Sequence, residues 1–323
     1  MPELWLPGQA RFGENAKVRV GQLAGGQSGR VTAAQLRRLE VSTQLVSHWA
    51  ASGYLYPELP HVYAVGTPAR SDASDLFAAV LYAGPYAALR DLTAALWRGI
   101  VKWRTQTAIQ ISTPRRCHSL PADHPENRLH KTIEVRERRP PDRQLWRGVP
   151  TIPIPQIVLD LAATGDLQLV RFALAQMDYR RILRETELEA VRGRGIPGSD
   201  LLGQAIANPQ PLFARAKSWF EIRLIQVCEQ TGIPLPKVNE KVSGEEPDAV
   251  WLDQMVVVEC DGEGNHGTWR QRKRDMKKDM VLRGLGFLIV RYTYDQLDDP
   301  WAIHADLMPI LTERAGRGNV RAA

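Results

Sequence analysis

The strongest pattern in the chain is a pair of short apolar runs near residue 250. Ala249-Val250-Trp251-Leu252 and Met255-Val256-Val257-Val258-Glu259-Cys260-Asp261 flank the polar dipeptide Asp253-Gln254. This predicts a hairpin of two buried strands with its turn at that dipeptide. Upstream, residues 215–229 carry Trp219, Phe220, Ile222, Leu224, Ile225 and Val227 at helical spacing, and Gly232-Ile233-Pro234 stops the helix. Residues 238–242 read as a short strand. Downstream, the pattern predicts a basic helix from Trp269 through Leu282, a strand over 286–292 and a closing helix over 300–311. The tail from about Arg314 is expected to be disordered.

The first 70 residues carry a different rhythm. Thr32 is placed to cap a helix bearing Ala33, Leu36 and Leu39; Glu40-Val41 makes a turn; Ser42 caps a second helix bearing Leu45, Val46 and Trp49. Two short strands follow, over 54–56 and 61–65. Helix, tight turn, helix, hairpin is the order of a winged helix-turn-helix, whose second helix would offer Thr43, Gln44, Ser47 and His48 to a DNA major groove. Residues 1–20 show little periodicity, and Gly25-Gly26-Gln27-Ser28-Gly29 reads as flexible punctuation. Between the two patterned ends, helices are expected over 75–82, 87–97, 157–163 and 168–184, with strands over 107–112 and 132–136. A Pro-rich stretch covers 140–155. No residue set in this middle part has a catalytic pattern, so a connecting role is expected.

The fold class is therefore α/β (α+β). Expected domains are a winged-helix module over 1–70, an α/β and helical connector over 71–210, a third domain over 211–314, and a tail over 315–323. Composition agrees: 323 residues with 44% hydrophobic and 24% charged content suit a soluble protein of two or three domains. No apolar run reaches membrane-spanning length and the N-terminus has no leader pattern, so a cytoplasmic protein with no membrane partner is expected. Three widely spaced cysteines imply no disulfide framework. A net charge of +6 favours an anionic partner, though only weakly.

The candidate chemistry lies in the hairpin. Side chains alternate along a strand, so Glu259 and Asp261 share a face, and Asp248 at the start of the partner strand can join them. Carboxylates gathered on an apolar strand repel one another and lose hydration; a divalent cation offsets both penalties, and oxygen-only ligands suit Mg²⁺ or Mn²⁺. Asp248, Glu259 and Asp261 are thus the candidate metal ligands, and His266 in the following loop, whose side chain can accept a proton near neutral pH, is a further catalytic candidate. The competing reading of these acids is a structural ion-pair network with Arg270, Arg274 or Arg291. Between residues 270 and 278, Arg270, Arg272, Lys273, Arg274, Lys277 and Lys278 face only Asp275, which suits phosphate contacts. Gly193-Arg194-Gly195-Ile196-Pro197-Gly198 mimics a dinucleotide fingerprint but follows a helix rather than a strand, so it is set aside.

Several spaced segments carry a resemblance. Glu246-Pro247-Asp248-Ala249-Val250-Trp251, Val257-Val258-Glu259-Cys260-Asp261-Gly262 and His266-Gly267-Thr268 come first, then Asp275 and Asp279 with Gly286 and Arg291-Tyr292-Thr293. Over about residues 215–310 the chain resembles the PD-(D/E)XK nuclease superfamily, in particular its very-short-patch-repair-like endonuclease branch. Its front, with Val62-Tyr63-Ala64-Val65-Gly66 after the helix-turn-helix, is similar to the N-terminal domain of AbiEi-type antitoxins. The resemblance implies a restriction-endonuclease-like mixed sheet flanked by helices. It makes Asp248 and Glu259 the metal-binding acids and Glu221 the upstream helical acid. Asp261 stands where most members keep a lysine that positions the attacking water; His266 as base, or Lys277 or Lys278 reaching back from the next helix, would supply the missing function. Two functions follow as expectations: a Mg²⁺-dependent DNA endonuclease, or a non-catalytic DNA-binding regulator or antitoxin-like protein on a degenerate nuclease fold. DNA is the expected partner, with a homodimer and a toxin or defence-system partner left open.

Overall fold

The computed structural model describes residues 16–102, 108–138, 142–182, 184–261 and 269–318; the side chains of 269–272 and 316–318 lie outside that description. The chain falls into two compact units, Met1–Asn208 and Pro209–Ala323. The class is mixed α/β, as the periodicities imply.

The first unit opens with α1 (Ala16–Gly25), β1 (Arg30–Thr32), α2 (Ala33–Arg38), α3 (Thr43–Ala51), β2 (Leu55–Leu59) and β3 (Val62–Val65), whose strands form an antiparallel sheet in the order β1-β3-β2. Local chemistry sets the helix starts. Thr32 and Gln35 form a reciprocal capping box at α2, and the Ser42 hydroxyl accepts the Leu45 N–H at α3. Val20, Leu36, Val41, Trp49 and Leu55 close the core of this part. Helix α1 and strand β1 were not anticipated. Val20 and Leu23 of α1 are buried in the core beside β1 and β3, so tertiary packing supplies what the weak local periodicity lacks.

The unit continues with α4 (Asp72–Ala83), β4 (Ala88–Leu89), α5 (Asp91–Trp97), β5 (Ala108–Thr113), β6 (Thr132–Glu137), β7 (Gln144–Trp146), β8 (Val149–Thr151), α6 (Ile154–Ala162), α7 (Leu167–Tyr179), α8 (Glu185–Glu189) and α9 (Ser199–Ala207). Its five strands run in the order β6-β5-β4-β8-β7. The helix expected over 87–97 is a strand followed by a helix. Ala88 and Leu89 pair with Ser112 and Ile111, and that pairing overrides their helix propensity. The helix expected to reach 184 stops at Tyr179, and Arg181 adopts a left-handed φ of 53°. The Pro-rich stretch hides a hairpin: Arg147 and Gly148 both take positive φ (48° and 80°), the backbone a tight two-residue turn requires, and Pro150 sits within β8 opposite Leu145.

The second unit comprises a 3₁₀ turn (Pro211–Ala214), α10 (Trp219–Thr231), β9 (Lys237–Val238), β10 (Ala249–Trp251), β11 (Val256–Cys260), α11 (Trp269–Gly284), β12 (Leu288–Tyr292), a second 3₁₀ turn (Asp295–Asp298) and α12 (Pro300–Gly318). Sheet order is β12-β11-β10-β9; β9, β10 and β11 are antiparallel neighbours, while β12 lies parallel to β11 after the α11 crossover. Val250, Val257, Leu282 and Phe287 pack α11 against the sheet. On α10, Phe220, Ile222, Leu224, Ile225 and Val227 are buried. The strand expected over 238–242 is confined to Lys237–Val238, since Asn239 and Ser243 take positive φ of 52° and 51° and turn the chain away. The tail expected to be disordered from 315 is helical as far as Gly318, an extension of α12; residues 319–323 lie outside the described residues. Among the described residues no helix is long and apolar enough to cross a membrane.

Candidate functional site

The β10–β11 register places the two principal acids. Ala249 pairs with Val258, so one step further out Asp248 stands directly across from Glu259 at the end of the hairpin. The Asp248 carboxylate is held by the backbone: its Oδ2 accepts the Cys260 N–H at 2.8 Å. The parallel crossover through α11 then brings Lys278 onto Glu259, with Nζ 2.8 Å from Oε2 and 2.7 Å from Oε1. That approach gives Oε2 a well-formed hydrogen bond and leaves the buried Oε1 with none among the described residues. Next to Lys278, Asp279 receives the Arg291 Nη2 at 2.6 Å, and Arg291 is the register partner of Glu259 on β12. Two ion pairs therefore anchor the middle of α11 to adjacent strands.

Burial dominates the electrostatics of Glu259, pushing its carboxyl up to about 7; Lys278 opposes that shift, and the neighbouring Asp248 charge adds to it. Glu221 is in a related position. It occupies the first turn of α10, 2% exposed, and accepts the Lys217 N–H at 2.7 Å, the Ser218 hydroxyl at 2.8 Å and an amide N–H of Asn239. Burial and the charge of Asp248 push its pKa up, while these three donors pull it back. The Ser218 hydroxyl in turn accepts the Glu221 N–H at 3.2 Å, so one serine both caps the helix and fixes the acid.

Asp261 stands just past the strand, with its charge felt at Cys260 and Arg291 alongside that of Glu259. Strand β11 ends at Cys260, the Asp261 N–H donates to Tyr292 O at 2.9 Å, and its side chain is exposed. No three His, Cys, Asp or Glu side chains among the described residues are placed to hold an ion jointly. His266 lies outside the described residues. On α11, Lys273, Arg274 and Lys277 are exposed, whereas Lys278 is turned inward; the side chains of Arg270 and Arg272 are outside the description. On α3, Thr43, Gln44, Ser47 and His48 are all exposed, with Trp49 buried behind them. The arginine network weighed for the acids takes another form: Arg291 binds Asp279 rather than Asp248 or Glu259.

Sequence reasoning missed Ser218, Asn239 and the Cys260 amide. Ser218 and Asn239 each left a trace: Ser218 stands three residues before Glu221 in the spacing of a capping box, and asparagine tolerates the left-handed backbone found at 239. Of the two lysines able to reach back, Lys278 is the one that does.

No family model matches the sequence, and no curated protein matches it. Among solved structures the chain is similar to the RV2827C protein from Mycobacterium tuberculosis, at 15% identity and a TM-score of 0.33, over 61% of this chain and 78% of that one. Similarity that weak bears on neither fold nor chemistry.

Proposed function

We propose that the chain is a cytoplasmic DNA-binding protein whose second unit is a metal-dependent endonuclease of the PD-(D/E)XK type, akin to very-short-patch-repair enzymes. One observation carries this reading: Asp248 faces Glu259 across the hairpin, and Lys278 Nζ reaches the Glu259 carboxylate at 2.7–2.8 Å. Two acids and an amine come together even though Asp261 stands at the position expected for lysine.

The donors suit a hard divalent cation. Asp248 and Glu259 offer only oxygen, and Glu259 meets one ammonium, Lys278 Nζ at 2.7 Å from Oε1 and 2.8 Å from Oε2. These two side chains would hold Mg²⁺ or Mn²⁺, which polarises a phosphodiester and offsets the charge that develops as it is cleaved. Lys278 steadies Glu259 and places a positive charge at the rim where phosphate enters. Glu221 keeps a carboxyl group beside Asp248, and His266 is the proposed base for the attacking water. Exposed Lys273, Arg274 and Lys277 grip the backbone, while Thr43, Gln44, Ser47 and His48 read the groove.

The test is nicking of supercoiled plasmid with Mg²⁺, with Mn²⁺ and with a chelator. Asp248→Asn, Glu259→Gln and Lys278→Met should each lose about a hundredfold or more in rate while gel shifts of DNA persist. Full cleavage by the first two variants would end the endonuclease reading. A second reading rests on the same contacts: Lys278 already neutralises Glu259, and Cys260 already occupies Asp248. A regulator or antitoxin-like protein that binds DNA without cutting it would give shifts and no nicking with any metal.

A further inference from the structure

A second cleft lies wholly within the first unit, far along the chain from the acids. Trp97 and Arg98 at the end of α5, Lys102 just after it, Trp146 and Arg147 at the β7–β8 turn, and Arg180 at the end of α7 line a cavity of about 270 Å³. Among the described residues no acidic one lines it. We propose that this cleft binds a nucleotide unit, with its phosphate among the arginines and its base against the tryptophans.

Arg98 makes the first argument. It is only 8% exposed, yet its Nη1 donates to the neutral partners Gln144 Oε1 (3.0 Å) and Thr151 Oγ1 (2.8 Å), and its guanidinium lies 5.1 Å from the centre of the Trp146 ring. Among the described residues no carboxylate reaches Arg98, Arg147 or Arg180 within ion-pair distance. A buried cation with no counter-charge is costly, and burial accordingly depresses the Arg98 pKa. An anion entering the cleft removes that cost.

The ends of α5 and α7 favour cations on their own account, because a helix C-terminus carries partial negative charge. That explains Arg98 and Arg180, which occupy the two C-caps. It does not explain Arg147, which lies on a β-turn with its guanidinium 5.8 Å from the Trp97 ring centre. Nor does it explain the Trp146 indole N–H, which is buried with no acceptor among the described residues, whereas the Trp97 N–H donates to Trp146 O at 2.9 Å. An unused donor beside two indole rings, each with a guanidinium 5.1 or 5.8 Å from its centre, fits a heteroaromatic base bearing acceptor atoms. The cavity is close to the lower end of the ~300 Å³ typical of small-ligand sites, and so suits one nucleotide rather than a longer segment.

The same chemistry is presented by a free nucleotide and by an unpaired nucleotide in a single strand. Calorimetric titration of the full chain, in chelator, with adenosine monophosphate, a single-stranded tetranucleotide and inorganic phosphate separates them. Adenosine monophosphate or the tetranucleotide should bind saturably at one site, at least tenfold more tightly than phosphate. An Arg147→Gln/Arg180→Gln double variant should weaken that binding tenfold or more. Both side chains are exposed, and an unchanged melting temperature verifies the fold. Tetranucleotide binding much tighter than the mononucleotide assigns a single strand; equal affinities assign a free nucleotide. Absence of saturable binding by either, affinity unaltered in the double variant, or phosphate binding as tightly as the nucleotide would each overturn the proposal.

Discussion

Glu259 is under opposed demands. Its side chain is 14% exposed and faces a second carboxylate, which favours the protonated form; Lys278 favours the ionised one. Burial wins, and the pKa rises from 4.5 to about 7. Between those two values the native state binds more protons than the unfolded chain, so this group's contribution is fully present below about pH 4.5 and is lost as pH rises through 7. A shift of that size corresponds to roughly 3 kcal/mol. In chelator, chemical denaturation of the wild type at pH 5, 6, 7 and 8 should therefore show a decline with pH that exceeds the decline in Glu259→Gln by an amount of that order. Glu221 shifts in the same direction and remains in both proteins, which is why the difference between the two profiles is the relevant quantity. Superimposable profiles would mean that Glu259 is ionised throughout.

At the scale of elements, the part spanning α1 to β3 depends on one buried ion pair as well as on its caps. Arg30 of β1 donates from Nε to Glu58 Oε2 at 2.9 Å and from Nη2 to Oε1 at 2.6 Å, joining the two outer strands, and also serves the carbonyls of Ser28 and Ala69. Both side chains are almost wholly buried. Glu58→Gln leaves the guanidinium uncompensated and should cost about 3–5 kcal/mol in urea titration, whereas Arg30→Met/Glu58→Leu, which buries no charge, should cost distinctly less. If the double variant were the worse of the two, the carbonyl contacts of Arg30 would outweigh the pair. This pairing also shows where sequence legibility stops. Thr32 and Ser42 announce α2 and α3 because capping is a matter of neighbouring residues. Strand β1 depends on β3 and on Glu58, 28 residues away, and nothing in Arg30-Val31-Thr32 itself announces a strand. The β7–β8 hairpin was hidden for a related reason: Pro150 argues against a strand unless it lies where no ladder N–H is needed, and only the sheet determines that.

At the scale of the whole molecule, the acids were legible and their geometry was not. Alternation puts Glu259 and Asp261 two apart at the end of β11, but the amine that meets Glu259 comes from α11 through a crossover that no local pattern records. The net charge of +6 is likewise only a total; its use depends on which cations are exposed. Arg274 and Lys277 are exposed on α11, whereas Lys278 is committed to Glu259. For a chain that binds DNA through those exposed cations, log Kobs should fall linearly with log salt concentration, and removing one phosphate contact should reduce the slope by about 1. Arg274→Gln/Lys277→Gln should thus flatten the slope by about 2, weakening all DNA sequences alike. Gln44→Ala/His48→Ala on α3 should instead leave the slope nearly intact and narrow the gap between preferred and random sequences. Fluorescence anisotropy across a salt series, with one preferred and one scrambled duplex, reads both effects. A flattened slope in the α3 variant with no change in the α11 variant would reverse the assigned roles, making the helix-turn-helix the phosphate grip and leaving α11 as a support for Glu259.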